Sequence, residues 1–282
     1  MIPANFDYLR PATLDAALAA LASMDDAKVL AGGHSLIPAL KLRLAQPRSV
    51  IDISRIPGLN YIRATNGLVL IGAMTTHHEI ESSELLKEKC PLFPEVAATI
   101  GDVQVRNRGT LGGSLVHADP AADWPAAILA LDAQMEVAGP EGRRTVQAAD
   151  FFVEMMQSAV QPNEILIEIR VPVTASSVAY VKFAQKASGF AIAGVAAIVE
   201  AASKSVRIGV TGVATKAFRA TAAEDALRGK TLTAANILLA ADRADDGVET
   251  LNDMHASAEF RAHLTRVHTR RALELAASRG GA

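Results

Sequence analysis

Two short glycine-rich loops constrain this chain more than any other feature of its sequence. The first is Ala31-Gly32-Gly33-His34-Ser35, which is predicted to follow a short apolar strand and to precede a helix capped by Ser35. The second runs from Gly109 to Ser114 and again combines adjacent glycines with hydroxyl side chains. Because glycine lacks a Cβ and tolerates positive φ, backbone N–H groups in such loops can approach an anion closely.

Taken alone, the first loop fits two interpretations, an anion-binding loop or a tight turn followed by a serine cap. Neither loop matches the G-x-G-x-x-G dinucleotide fingerprint or the Walker pattern. Two such loops, about 80 residues apart in one chain, predict an extended dinucleotide held from both sides.

Composition limits the classes of partner. The 282 residues carry 28 basic and 30 acidic side chains without a long run of one sign, so nothing indicates binding to nucleic acid or to an anionic membrane. The sequence has no apolar run long enough for a membrane span and no signal-peptide pattern, so we expect a cytoplasmic protein. The single cysteine, Cys90, excludes an internal disulfide and an iron–sulfur cluster held by this chain's own thiolates.

Hydrophobic periodicity predicts an α+β fold, with a mixed first part and an antiparallel sheet with helices in the second. Residues 77–89 are predicted to form one helix. Asp123 is predicted to cap a helix over 124–131, and Asp150 to cap one that runs to Ala159.

A turn-rich break over 172–177 is the predicted domain boundary. It follows a strand over 165–171, in which alternating charges predict one buried face, and it precedes three antiparallel strands and three helices. The predicted domains are residues 1–173, with subdomains at about 1–55 and 56–173, and residues 174–282.

With their flanking residues, the two loops resemble the flavin motifs of the FAD-binding medium subunit of carbon monoxide dehydrogenase and related molybdenum hydroxylases. The first motif extends through Leu36-Ile37-Pro38, and the second continues to Ala118-Asp119-Pro120 and Asp123. The flavin domain of xanthine dehydrogenase is a more distant relative. The resemblance covers nearly the whole chain, with further matches at Met1-Ile2-Pro3, Ile71–Thr76 and Val105–Gly109.

The resemblance implies a two-lobed FAD-binding domain of the vanillyl-alcohol-oxidase (PCMH) type over 1–173 and a C-terminal flavoprotein domain over 174–282. It implies that the first loop wraps the pyrophosphate and that the second approaches it from the other side. Asp123 would accept hydrogen bonds from ribityl hydroxyls, and Lys182 would lie near the flavin. No residue is expected to be catalytic or to bind a metal. The implied cofactor-binding residues are Ala31, Gly32, Gly33, His34, Ser35, Leu36, Gly101, Thr110, Gly112, Gly113, Ser114, Asp123, Ile165, Leu166 and Lys182.

Two positions depart from the family pattern. Gly189 stands seven residues after Lys182, where relatives commonly carry an acidic residue, and Ser114 stands where relatives often carry asparagine. This chain therefore has no carboxylate seven residues after Lys182, so that role does not carry over to it.

As a function, the resemblance implies an oxidoreductase subunit that binds FAD. A small partner with [2Fe–2S] clusters would deliver electrons, and a large molybdopterin subunit would hydroxylate the substrate, in a dimer of such heterotrimers. The FAD would pass the electrons to an external acceptor. Three alternatives stay open: a stand-alone flavin oxidoreductase of the same fold, an assembly partner that has lost the flavin, and a nucleotide-binding regulatory module. The sequence does not identify the substrate.

Other polar residues receive structural interpretations. His77-His78-Glu79 lacks the spacing of a zinc motif and is predicted to be a surface pair at a helix start. Cys90 is predicted to be an inert residue at a helix end. His117 and Asp119 are predicted either to touch the flavin or to order their loop.

Overall fold

The first lobe is a small parallel sheet that carries the first glycine loop. The computed structural model describes residues 1–174, 177–200 and 204–280. The three strands of this lobe pair in the order β1-β3-β2, and a helix follows each of the first two strands in the chain. Thr13 accepts the N–H of Ala16 and caps the first helix. The elements are β1 (Asp7–Leu9), α1 (Leu14–Ser23), β2 (Ala27–Leu30), α2 (Leu36–Lys41) and β3 (Ser49–Asp52).

The second lobe is a five-stranded antiparallel sheet with short helices, and it carries the second glycine loop. Its strands follow the order β4-β5-β10-β6-β7. The central strand is in register through Ile169, which pairs with Ile71 on one side and Met135 on the other. The elements are β4 (Ile62–Thr65), β5 (Leu68–Gly72), α3 (His77–Ser82), α4 (Glu84–Lys89), α5 (Leu92–Ala98), α6 (Val103–Arg106), α7 (Leu111–His117), α8 (Trp124–Ala130), β6 (Gln134–Gly139), β7 (Gly142–Gln147), α9 (Ala148–Phe151), β8 (Phe152–Glu154), β9 (Gln157–Ser158) and β10 (Ile165–Pro172).

The C-terminal part is an antiparallel sheet with three helices, as the sequence predicts, but the sheet has a fourth strand of two residues that the sequence does not predict. One face of this sheet packs on α10 to α12, and residues of the other face join the core of the second lobe. The elements are β11 (Ser177–Ala184), β12 (Ala191–Glu200), β13 (Ser205–Thr211), β14 (Phe218–Arg219), α10 (Thr221–Leu227), α11 (Ala234–Ala241) and α12 (Ala258–Arg279).

Strand β10 joins the cores of the two lobes. Ile165 and Ile167 belong to the apolar cluster of the first lobe, whereas Leu166 and Ile169 belong to that of the second. The prediction of a strand with one buried face is therefore wrong, because even Glu168 is only 5% exposed. A strand covered on both faces is buried whatever the alternation of its side chains.

Two predicted helices differ in extent. Residues 77–89 form two helices, because Ser83 ends α3 and then caps α4 by accepting the N–H of Leu86 at 3.2 Å. The helix near Asp150 ends at Phe151 and does not reach residue 159, since the chain turns extended at the next residue. This change of conformation lets two consecutive phenylalanine rings be buried with their edges in contact.

The α+β class is confirmed, with two lobes followed by the antiparallel sheet and its helices. The domain boundary after residue 173 stays a prediction, and within the predicted break residues 175 and 176 lie outside the described residues. Among the described helices, none combines the length and the apolar character needed to cross a membrane.

The contact between β13 and α8 generates a prediction about stability. A Cβ added at Gly209 would overlap the carbonyl oxygen of Ala126. We expect Gly209→Ala to lower the free energy of unfolding by about 1–3 kcal/mol, because the helix or the strand must shift. Urea unfolding measures this change, with the exposed strand residue Thr145→Ala as a control. An unchanged free energy for Gly209→Ala would show that α8 is not held this closely.

Candidate functional site

The first glycine loop presents a run of free backbone donors. It spans residues 31–35 between β2 and α2, and Gly33 adopts a φ of 78°, which favours glycine. Within the described part of the chain, the backbone N–H groups of residues 32–36 have no hydrogen-bond acceptor. The carbonyl of Gly33 accepts the N–H of Ile37 at 3.0 Å, which starts the helix. Consecutive N–H groups of this kind suit an anionic ligand.

The second glycine loop is held mainly by the protein itself. Thr110 caps α7 by accepting the N–H of Gly113 at 3.1 Å, and its carbonyl accepts the N–H of Ser114 at 3.1 Å. The N–H of Gly112 donates to the carbonyl of Ala73 at 2.9 Å, and a Cβ at Gly112 would lie 2.7 Å from that oxygen. Packing against Ala73 therefore requires glycine at 112, and this loop offers fewer free donors than the first.

The fold brings the two loops into direct contact. A Cβ added at Gly32 would overlap the carbonyl oxygen of Arg108 and would lie 2.9 Å from the Cα of Gly109. A Cβ added at Gly113 would lie 3.3 Å from the Cβ of Ala31. We call this contact the loop seam. It requires glycine at position 32, where a Cβ would overlap the facing backbone, and it leaves little room for a Cβ at position 113.

A buried ion pair lies beside the start of α8. The Nζ of Lys182 donates to the carbonyls of Thr99 at 2.8 Å and Gly189 at 2.7 Å, and lies 3.0 Å from Oδ1 of Asp123. Tyr180 donates its hydroxyl to the same carboxylate at 2.6 Å. Asp123 does not cap α8 as predicted, since its side chain bonds to no helix N–H group. These partners from β11 outcompete the local cap.

Burial governs the protonation of this cluster. It raises the pKa of the Asp123 carboxyl group, while Lys182 and the hydroxyl of Tyr180 act in the opposite direction. Burial and the neighbouring carboxylate also raise the pKa of Tyr180 well above its usual value. Tyr180 therefore stays protonated and remains a donor. The sequence could have indicated that Tyr180 belongs to this cluster, because residues 180 and 182 project from the same face of a strand.

Gly189 and Gly101 lie side by side at the edge of this cluster. Gly189 adopts a φ of 75°, and a Cβ there would lie 3.8 Å from the Cα of Gly101, whose φ is 48°. The backbone carbonyl at 189 is an uncharged acceptor for Lys182. The structure thus brings Gly101, Asp123 and Lys182 together, in a group distinct from the two loops.

Ile165 and Leu166 are buried core residues of β10. Their side chains are 3% exposed each and point into different cores. The carbonyl of Ile167, on the same strand, accepts the N–H of Ala73. The carbonyl of Ala73 in turn accepts the N–H of Gly112. Contact of Ile165 or Leu166 with a ligand stays a prediction.

His34, Ser35 and Leu36 close the first loop toward solvent. His34 and Ser35 are exposed and Leu36 is half-buried. The Nδ1 atom of His34 lies 3.3 Å from the carbonyl oxygen of Gly32, within its own loop. On the other side of the seam, Ser114 is half-buried on α7.

His77 is not a surface residue, contrary to the prediction. It is 4% exposed, and the indole N–H of Trp124 donates to its Nδ1 at 3.2 Å. The ring lies against the second loop, with its Nε2 2.8 Å from where a Cβ of Gly109 would be. The neighbouring His78 is exposed, as predicted for the pair. The sequence could not distinguish the two, because burial here depends on tertiary contacts.

The remaining candidates are structural. Asp119 accepts the N–H of Ala121 at 2.9 Å and so orders its loop. Cys90 ends α4 as predicted, and burial raises the pKa of its thiol to about 12. Among the described residues, no group of three or more His, Cys, Asp or Glu side chains is arranged to hold a metal ion.

His77 generates a prediction about pH. Burial, with smaller effects of His34 and Arg106, lowers its pKa to about 4. The unfolded chain, with a pKa near about 6.5, therefore binds a proton that the folded chain does not bind. The stabilisation is complete above about pH 6.5, and we expect the free energy of unfolding to lose up to about 3 kcal/mol as the pH falls toward 4.

Urea unfolding of the wild type and His77→Asn at several pH values measures this loss. The stability difference between the two should shrink as the pH falls, whereas His78→Asn should show no such trend. A difference that is constant with pH would contradict the buried, neutral state of His77.

Comparisons with known proteins identify the family. Residues 4–174 match the family described as FAD binding domain in molybdopterin dehydrogenase, and residues 178–276 match the CO dehydrogenase flavoprotein C-terminal domain. The chain is 40% identical to the carbon monoxide dehydrogenase medium chain of Hydrogenophaga pseudoflava, over 99% of both chains. It is 35% identical to the glyceraldehyde dehydrogenase medium chain of Sulfolobus acidocaldarius, over 97% of this chain and 99% of the relative.

A solved structure agrees with this. Carbon monoxide dehydrogenase from Hydrogenophaga pseudoflava superposes with a TM-score of 0.96 at 42% identity, covering 99% of this chain and 100% of the other. The chain therefore belongs to the FAD-binding medium subunits of the molybdenum hydroxylase family, which includes the carbon monoxide dehydrogenases.

Proposed function

We propose that this subunit holds FAD across the loop seam and passes electrons from the [2Fe–2S] clusters of a partner subunit to an external acceptor. The observation that carries the proposal is the seam itself, where two loops far apart in sequence meet beside a run of free N–H groups. A dinucleotide pyrophosphate needs several donors at short range, and glycines let the backbone approach it.

The residues present fit the cofactor. The free N–H groups of the first loop would bind the pyrophosphate, and the second loop would close the site from the other side. The Asp123 cluster would hold the ribityl and ring end, since Oδ1 of Asp123 faces both Tyr180 and Lys182 while Oδ2 faces Lys182 alone and keeps a second lone pair. The proposed FAD-binding residues are residues 31–36, Gly101, Thr110, residues 112–114, Asp123, Lys182, and Ile165 and Leu166 through their backbone.

The rest of the electron path must lie on other chains. A bound flavin accepts two electrons together and returns them one at a time. This chain's only cysteine is buried with a raised pKa, so it offers no thiolate to a cluster. We propose a small partner with two [2Fe–2S] clusters and a large molybdopterin partner, assembled as a dimer of heterotrimers in the cytoplasm.

The substrate is proposed to be selected outside this subunit. Medium chains that align with nearly all of this one belong to enzymes named for carbon monoxide and for glyceraldehyde, which share little chemistry. Similar flavin subunits thus serve different substrates, and function within a shared fold depends on the reacting site.

Gly113→Val tests the position of FAD. The Cβ of this valine would lie 2.8 Å from Oγ1 of Thr110 and 3.3 Å from the Cβ of Ala31. Its two methyl groups would therefore displace the Thr110 cap or enter the seam, so we expect FAD to be lost. The apoprotein should remain folded with modest loss of stability. Flavin fluorescence titration measures the dissociation constant, and circular dichroism checks the fold.

His34→Ala is the matched control, because its contribution is assigned to the backbone N–H, which alanine keeps. It should bind FAD like the wild type. If Gly113→Val also binds FAD like the wild type, the cofactor does not lie across the loop seam.

Anaerobic reduction tests the electron-transfer role. The chain is expressed alone and together with the large and small subunits from adjacent reading frames, and each purified flavoprotein is mixed with carbon monoxide, glyceraldehyde, nicotine or xanthine. We expect no rapid bleaching of the flavin in the isolated chain. In the complex, the substrate that matches the large subunit should bleach it. Rapid, complete bleaching in the isolated chain would instead establish a stand-alone flavin oxidoreductase.

A further inference from the structure

His77 stands between the loop seam and the core of the second lobe. Its Cδ2 and Nε2 each lie 2.8 Å from where a Cβ of Gly109 would be. On its other side the ring meets Trp124, with ring centroids 5.8 Å apart, and the indole in turn meets Phe93 at 5.2 Å. A continuous column of rings therefore connects the backbone of the seam to fully buried aromatic side chains.

The hydrogen bond from Trp124 fixes the state of this imidazole. An indole N–H can only donate, so Nδ1 of His77 must accept and the neutral ring carries its proton on Nε2. The ring orientation is thereby locked, and one defined edge faces Gly109. The orientation of the imidazole depends on this one buried hydrogen bond, since the indole of Trp124 has no other polar group to offer.

Gly109 is enclosed from two sides. A Cβ at Gly32 of the first loop would lie 2.9 Å from the Cα of Gly109, and the imidazole edge of His77 leaves no room for a Cβ on Gly109 itself. Its carbonyl also accepts the backbone N–H of His77 at 3.0 Å. His77 is therefore in contact with Gly109, which in turn contacts the first loop.

We propose that His77 is a positioning residue of the cofactor site, whose imidazole sets the place of Gly109 and hence the spacing of the two glycine loops. The proposal rests on the proposed FAD position at the loop seam. It extends that site by a residue that touches neither the pyrophosphate donors nor the ion pair. Because Trp124 directly follows Asp123, the same column also joins the seam to the Lys182 cluster.

A double-mutant cycle between positions 77 and 109 tests the proposal in the full chain. Gly109→Ala adds the methyl group that the imidazole edge excludes. His77→Asn keeps an oxygen that can accept from the indole, but it is shorter and leaves room for that methyl group. FAD is the titrant, and its dissociation constant is read from flavin fluorescence and from the emission of Trp124, which is the only tryptophan in the chain.

We expect Gly109→Ala to weaken FAD binding by about tenfold or more and His77→Asn by a few-fold, whereas the double variant should bind more tightly than Gly109→Ala alone. Such rescue requires the two side chains to occupy the same space. Additive losses in the double variant would overturn the proposal.

His77→Asn alone keeps the test decisive if Gly109→Ala does not fold. Its Trp124 emission should shift and its FAD affinity should fall, while the exposed neighbour His78→Asn should match the wild type in both. A folded His77→Asn with wild-type affinity would overturn the proposal. Failure of the proposed FAD position is distinguished from failure of the His77 proposal by Gly113→Val. That variant would bind FAD like the wild type only if the FAD position were wrong.

Discussion

The candidate site depends on the close contact between the backbones of the two glycine-rich loops. A methyl group at Gly32 would occupy the space that the facing loop now fills. One at Gly113 would lie 2.8 Å from Oγ1 of Thr110 in its own loop and 3.3 Å from the Cβ of Ala31 in the facing loop. The first loop leaves its N–H groups free, whereas the second uses most of its own to hold itself against Ala73 and Thr110. In the proposed FAD site, the first loop would therefore provide the donors and the second would provide the facing wall.

The C-terminal sheet takes part in the same site. Lys182 reaches from β11 to the carbonyl of Thr99 and to Asp123, so one side chain links the antiparallel sheet to the second lobe. The glycine at 189 leaves it a neutral acceptor, and the pair of Lys182 and Asp123 therefore balances its own charge. A buried ion pair whose charged groups are also hydrogen-bonded is costly to break. The pair therefore fixes the N-terminus of α8 relative to the sheet.

The parts of the structure that depend on local chemistry could be predicted from the sequence. The glycine loops, the cap at Thr13 and the antiparallel strands after residue 177 follow from residue types and short-range spacing. Tertiary competition decided the rest. Asp123 has the side chain of a cap but binds partners about 57 and 59 residues away, and His77 is buried while His78 next to it is exposed. Neither the partners of Asp123 nor the burial of His77 follows from the residues that neighbour it in sequence. Likewise, the charges along 165–171 suggest solvent on one face, yet two lobes cover that strand.

The shared strand β10 has a consequence for how the protein meets its cofactor. Ile165 and Ile167 are packed in one lobe while Leu166 and Ile169 are packed in the other, so the lobes have no hinge about which to separate. Opening them would expose both cores at once. We therefore expect the two halves of the proposed site to be arranged during folding, before any ligand arrives, so that little conformational entropy is lost on binding. A dinucleotide bound at the proposed site would then be expected to exchange by local motion of the first loop, in which His34 and Ser35 are exposed.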